Sequence, residues 1–245
     1  VDAFPAIDVL WEAASVMVVH KPAGVLTTGP AGIDTMEHRL QAFLGARDGG
    51  SATATIGLPH RLDRPVSGTL LVACSGRMLK LLGGQFQSRR VGKEYLALVE
   101  GEVSSPRGTW RDVMRKVPGE ARAEPTEPGQ PEAREAVLHF RVLQRSAERS
   151  LLAITLETGR MHQIRLQAAR RGFPILGDTL YGASASWGPP PLDARQQPIA
   201  LHARRIAFHH PRTAKRVTVA APLPGTWDLL PDAWHVAWRA DEGRP

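Results

Sequence analysis

Cysteine is almost absent from this chain: Cys74 is the one residue of its type in 245. A single thiol excludes an internal disulfide and a cysteine-based zinc site. At the end of an apolar run, it reads as a small core residue. Long hydrophobic runs are also missing, and the longest apolar stretches are strand-length. Neither a membrane span nor a signal peptide is read, and a cytoplasmic protein is expected. Tyrosine occurs only twice, which makes each one easy to test. Paired carboxylates or thiolates at ligand spacing are lacking, so His202, His209 and His210 carry no metal reading.

What the chain has in excess is positive charge. Its formal net charge is +7 and its pI about 10.3, supplied mostly by arginine. Arginine suits bidentate phosphate contacts and stacking on bases, so nucleic acid leads the acidic partners to consider. A hydrophobic content of 42% and a length of 245 residues suffice for a buried core.

The chain is organised around His60 to Ala73, HRLDRPVSGTLLVA. A loop carrying Arg61, Asp63 and Arg64 feeds an apolar run, Thr69 to Ala73, with the pattern of a buried strand. Positive charge on both sides of Asp63 favours its ionised form. Such an aspartate can be a nucleophile, a base or one end of an ion pair. HRLD superficially matches a kinase catalytic loop, but no glycine-rich phosphate loop or DFG accompanies it, which rejects phosphoryl transfer.

Elsewhere, Val16 to Val19 predicts a strand, followed by a turn at 20–24 in which Lys21 reads as a solvated lysine. A helix is expected from Asp34, as N-cap, through Met36, Leu40 and Phe43, and another over 77–86. A flexible loop is expected between them at 47–54. Strands are predicted at 94–100, with Tyr95 on one face, and at 136–143 and 151–156; a hairpin is expected over 201–220. The stretch 104–134, rich in Pro, Gly, Glu and Arg, reads as a loop-rich excursion with little core of its own. Thr158 to Leu166, TGRMHQIRL, is a second charged focus. A helix from about Met161 to Arg170 places His162, Arg165 and Leu166 on one face, and arginines at its start call for an anion. A packed turn is expected over 173–182, a loop over 187–197, and frayed residues at the end of the tail that holds Trp227, Trp234 and Trp238.

With both foci in view, the chain resembles the RluA family of pseudouridine synthases over roughly residues 16–220. The pieces, in the family's order, are VVHKPAGV, HRLDRPVSGTLLVA, KEYLALVEG, TGRMHQIRL with GFPILGDTLYG, and LHARRIAFHHP. The resemblance implies isomerisation of uridine in RNA, ribosomal or transfer, without metal or organic cofactor. It implies an α+β fold, a mixed, largely antiparallel β-sheet flanked by helices and loops, as one catalytic domain. It makes Asp63 the essential aspartate, Arg61 the residue that fills the space of the flipped nucleotide, and Tyr95 a catalytic residue whose ring stacks on the base and assists proton removal. Arg165 is then the arginine paired with the aspartate, and Leu166 packs near the base; Arg64, Arg160 and His162 are taken as further RNA contacts. His20, Pro65-Val66 and Gln167 depart from the family's commoner residues, and no S4-like RNA-binding domain precedes Val16. A monomer is expected. The competing readings are an RNA-binding protein without turnover on the same scaffold and a metal-dependent nuclease; the lack of carboxylate clusters counts against the latter.

Overall fold

The computed structural model describes residues 6–47 and 56–242. Most of the loop expected at 47–54, and the last three residues of the tail whose end is expected to fray, lie outside them. The chain divides into two compact units, neither contiguous in sequence. The first comprises Val1–Lys93, Pro191–Gln196 and Ala203–Pro222; the second, Glu94–Pro190, Gln197–His202 and Leu223–Pro245. The architecture is the expected mixed, largely antiparallel sheet flanked by helices.

In the first unit, β1 (Val9–Ala13), β2 (Val16–Lys21) and β3 (Ser67–Ala73) are neighbours in that order. Beside β3 runs β9 (Leu201–His209), paired in turn with β10 (Arg216–Ala220) as the expected hairpin. Every residue of β3 is buried, because helices cover both its faces. Alternate strand residues point to opposite sides. Leu71 and Ala73, with Val16 and Val18, pack on Met78 and Leu82 of α2 (Gly76–Gln87). Leu70 and Val72, with Met17 and Val19, pack on Met36, Leu40 and Leu44 of α1 (Met36–Arg47). The cap of α1 is Thr35 and not Asp34: Thr35 Oγ1 accepts from the His38 amide at 3.1 Å, while Asp34 takes the Arg39 guanidinium.

Gly68 shows how closely β9 approaches. Its φ is +128°, and a Cβ there would stand 2.2 Å from the Ala203 carbonyl oxygen. Only glycine fits. Further along β3 other partners take over. Ala73 exchanges two 2.8 Å backbone bonds with Gly57, and the Leu71 amide donates to His60 Nε2 at 2.8 Å.

In the second unit the strand order is β4 (Gly92–Glu100), β8 (Arg149–Leu156), β7 (Arg134–Arg145), β5 (Arg107–Lys116) and β6 (Ala123–Pro125), all antiparallel. This corrects the loop-rich reading of 104–134. Strand β5 pairs with β7 from Arg107↔Arg141 to Met114↔Arg134, and Trp110, Met114 and Ala123 are buried. Its other positions are largely charged and face water, so the apolar alternation that marks a strand is hidden. Two helices complete the unit, α3 (Gln163–Ala169) and α4 (Asp232–Glu242), and α4 lies against β7.

Candidate active site

Asp63 is partly buried on the loop that leads into β3. The loop is pinned residue by residue. At its head, the His60 ring stacks on Phe86 at 4.9 Å while its Nε2 accepts the Leu71 amide. Desolvation, with Lys93 nearby, pulls the imidazole pKa down to about 3. The ring is therefore neutral, with Nε2 an acceptor and the proton on Nδ1. Leu62 is held twice by Thr27, whose hydroxyl donates to its carbonyl at 2.8 Å and accepts from its amide at 3.1 Å. The Val66 amide closes a turn on the Asp63 carbonyl at 3.0 Å, and Arg64 Nε donates to the Gly24 carbonyl at 3.1 Å. These bonds fix the position from which the Asp63 carboxylate projects. Arg61, next to Leu62, is exposed.

Lys21 is the main correction in this region. It is fully buried, and its ammonium donates to the carbonyls of Val25 (2.7 Å), Pro22 (2.9 Å) and Arg64 (3.3 Å). One ammonium thus ties the turn after β2 to the Asp63 loop. Burial drives its pKa down to about 7; the negative charge of Asp63 opposes that shift, and Arg39 and Arg64 add to it. The folded value lies below the ordinary 10.5, so between those pH values the unfolded chain holds more protons than the folded one. Stability therefore rises with pH through that window, and the deficit is complete below it. In denaturant titrations, the stability of wild type relative to Lys21→Met is expected to climb from pH 7 to 10, at up to about 1.4 kcal/mol per pH unit. Parallel pH courses for the two proteins would refute it.

In the second unit, Tyr95 sits nearly buried in β4, paired with Ile154 of β8. Helix α3 begins at Gln163, two residues later than expected; its N-cap, His162, adopts φ +52°. The anion that the arginines call for is present. Arg165 Nε and Nη2 each donate to Asp178 at 2.7 Å, a buried two-pronged ion pair. Asp63, the aspartate that the resemblance pairs with Arg165, belongs to the other unit. Arg165 also lies over the Tyr181 ring, 5.1 Å from its centroid. The Tyr181 hydroxyl is a hub: it accepts the Ala123 amide at 2.9 Å and shares a 2.9 Å bond with His162 Nδ1. Leu166 packs with Met114, Ala123 and Ala136 against Tyr181. Arg160 is half-buried, and its Nε donates to the Glu135 carbonyl at 2.9 Å. Gln167 Nε2 reaches Asp112 and the carbonyls of Trp110 and Ala136, leaving Oε1 buried without a hydrogen-bond partner.

The structure thus gathers Arg61, Asp63 and Arg64 on one loop, and His162, Arg165 and Leu166 around Tyr181. Lys21, Thr27, Asp178 and Tyr181 are the residues that sequence reasoning missed. For Asp178 a signal existed: a carboxylate inside the apolar run FPILGDTLYG must find a charged partner if it is buried. Among the described residues no group of three or more His, Cys, Asp or Glu is placed to hold a metal ion.

Comparison with known proteins follows the same lines. A family model described as RNA pseudouridylate synthase matches residues 15–170. A ribosomal large subunit pseudouridine synthase D of Xylella fastidiosa is 34% identical over 91% of this chain and 69% of its own length. A tRNA pseudouridine synthase C of Haemophilus ducreyi is 30% identical over 94% of this chain and 97% of its own. Among solved structures, human RNA pseudouridylate synthase domain containing 4 superposes with a TM-score of 0.73 at 20% identity, covering 95% of this chain and 93% of that one. That likeness concerns the fold.

Proposed function

The chain belongs to the RNA pseudouridine synthase family, and from that premise we propose that it converts uridine in RNA to pseudouridine, as a member of the RluA group, with Asp63 as the catalytic residue. The observation that carries this reading is the setting of Asp63. The loop around it is fixed through main-chain and neighbouring side-chain bonds to β3, Thr27, Lys21 and Gly24, which hold Asp63 in one place beside Arg61 and Arg64.

The reaction breaks the bond from uracil N1 to the sugar C1′, turns the uracil, joins C5 to C1′, releases the C5 hydrogen to water as a proton and leaves a proton on N1. Asp63 acts on the target nucleotide, as nucleophile toward the sugar or as base upon it. The uridine must leave its stack, which costs a few kcal/mol. Stacking on Tyr95 offsets about 1–3 kcal/mol of that cost, while Arg61 fills the vacated space. Arg165 supplies a positive charge that does not titrate. Leu166 contributes an apolar wall that retains the detached base, and Arg64, Arg160 and His162 contact the RNA. The protein acts as a monomer. The substrate is ribosomal or transfer RNA: the Xylella relative is named for the first and the Haemophilus relative for the second.

The test uses unmodified RNA labelled with tritium at uracil C5. Release of tritium to water from a ribosomal or a transfer RNA pool is the expected result. RNA binding without release from either pool would replace the synthase reading with that of a binding protein on the same scaffold.

A further inference from the structure

Among the described residues, two cavities that each lie within a single unit differ in charge. The larger, about 740 Å³ in the second unit, sets Arg111, Arg115 and Arg170 against Asp112, Glu127 and Glu135. It is balanced and offers an anion nothing. The smaller, about 380 Å³ in the first unit, has Arg39, Arg64 and Arg195 on its wall and a single carboxylate, Asp34. Asp193, off the wall, also engages Arg195, and a positive surplus remains.

Counting donors points the same way. Arg39 spends Nε and Nη2 on Asp34, Arg195 spends Nε and Nη2 on Asp193, and Arg64 spends Nε on the Gly24 carbonyl. Nη1 of Arg39, both Nη atoms of Arg64 and Nη1 of Arg195 make no hydrogen bond among the described residues. Three guanidinium groups, Arg39 and Arg195 held along one edge and Arg64 held at Nε, with donors left over, make a receptor for a group with several acceptor oxygens. The wall is firm. Lys21 ties the carbonyls of Pro22, Val25 and Arg64 together beside it. Gly24, at φ +85°, lets the turn close on Gln196, whose carbonyl oxygen would stand 3.0 Å from a Cβ there.

We infer that this cavity binds a backbone phosphate of the RNA strand, next to the nucleotide on which Asp63 acts. The inference rests on the synthase reading for the identity of its ligand. Arg64 follows Asp63 directly in the chain, so a phosphate held there fixes the strand one residue from the reacting carboxylate. Arg39, Arg64 and Arg195 are then strand-positioning residues.

The test reads binding separately from turnover. The full chain carrying Asp63→Asn, which blocks reaction, is titrated with a fluorescent single-stranded RNA of a dozen nucleotides over a range of KCl. Adding Arg64→Gln or Arg195→Gln is expected to weaken binding and to reduce the slope of log K against log salt by about 0.7, one single-strand phosphate contact. In the otherwise wild-type protein, the same substitutions are expected to raise KM about tenfold and leave kcat within about twofold, as loss of uniform binding requires. Arg195 is exposed and its ion pair is local, so its variant keeps the fold. Unchanged slopes in both variants would overturn the inference. Inorganic phosphate and uridine monophosphate are run as competitors, and displacement of RNA by either at micromolar concentration would make the cavity a small-molecule site and also overturn it. A reduced slope without tritium release from wild type would keep the cavity and discard the synthase reading. Tritium release with unchanged slopes would do the reverse.

Discussion

Asp63→Asn is expected to abolish tritium release from C5-labelled RNA, a loss of at least about 10⁴-fold, the scale that follows removal of a group acting covalently or as a base. Asparagine keeps the shape and loses the charge. The bonds that hold the loop run through Thr27, the His60 ring, the Lys21 ammonium and Arg64, and none needs the carboxylate. The variant should therefore fold and bind RNA close to normally. A second effect follows from the buried lysine. Asp63 favours the charged form of Lys21, so its neutralisation lets the lysine pKa fall further. The pH window over which stability rises should then extend to lower pH in the variant. Turnover near the wild-type rate would end the assignment of Asp63. A variant that is inactive and also unfolded would leave the synthase reading to Asp63→Glu, which keeps the charge and displaces it by one methylene.

The largest expected loss of stability comes from Asp178→Asn or Arg165→Met. Both partners are almost wholly buried and joined by two 2.7 Å bonds. Removing one leaves an uncompensated charge in the interior, worth about 3–5 kcal/mol. Arg165→Met strands the carboxylate of Asp178, and Asp178→Asn takes from the guanidinium the charge that its two 2.7 Å bonds engage. The double variant, Arg165→Met with Asp178→Asn, should recover much of the loss in urea denaturation, because it buries no charge. Additive losses would show that the pair is not coupled. Activity should separate from stability: if Arg165 also supplies charge for the reaction, the double variant will be folded and still inactive.

Much of the framework was legible because its signals are local. The continuous apolar run after Gly68 marked β3, and the apolar spacing from Met78 to Phe86 marked α2. The hairpins β7–β8 and β9–β10 followed from two apolar runs around a polar turn. Strand β5 was not legible, since only Trp110 and Met114 of its ten residues are buried and the rest resemble a polar loop. Lys21 was misjudged for a different reason. Its partners are main-chain carbonyls of Pro22, Val25 and Arg64, which any sequence would offer, so nothing in the residue types announces a buried ammonium. The grip of Arg165 on Asp178 spans 13 positions and depends on how the turn at 173–182 packs. Asp63, by contrast, stood out from its neighbours and from the motif around it.

The far edge of β3 has a consequence for synthesis of the chain. Thr69 donates its hydroxyl to Ala203, 134 residues later. At ribosomal rates of about 5–20 residues per second, Gly68 and Thr69 wait roughly 7–27 s for that partner. An unpaired strand edge left open for so long invites pairing with another nascent chain. Most of this one does not wait. Gly57 and His60 are made before β3 itself and occupy Ala73 and Leu71 as soon as those emerge. The segment that sets the Asp63 loop in place thus also shields the strand during translation, leaving only its first residues open until β9 arrives.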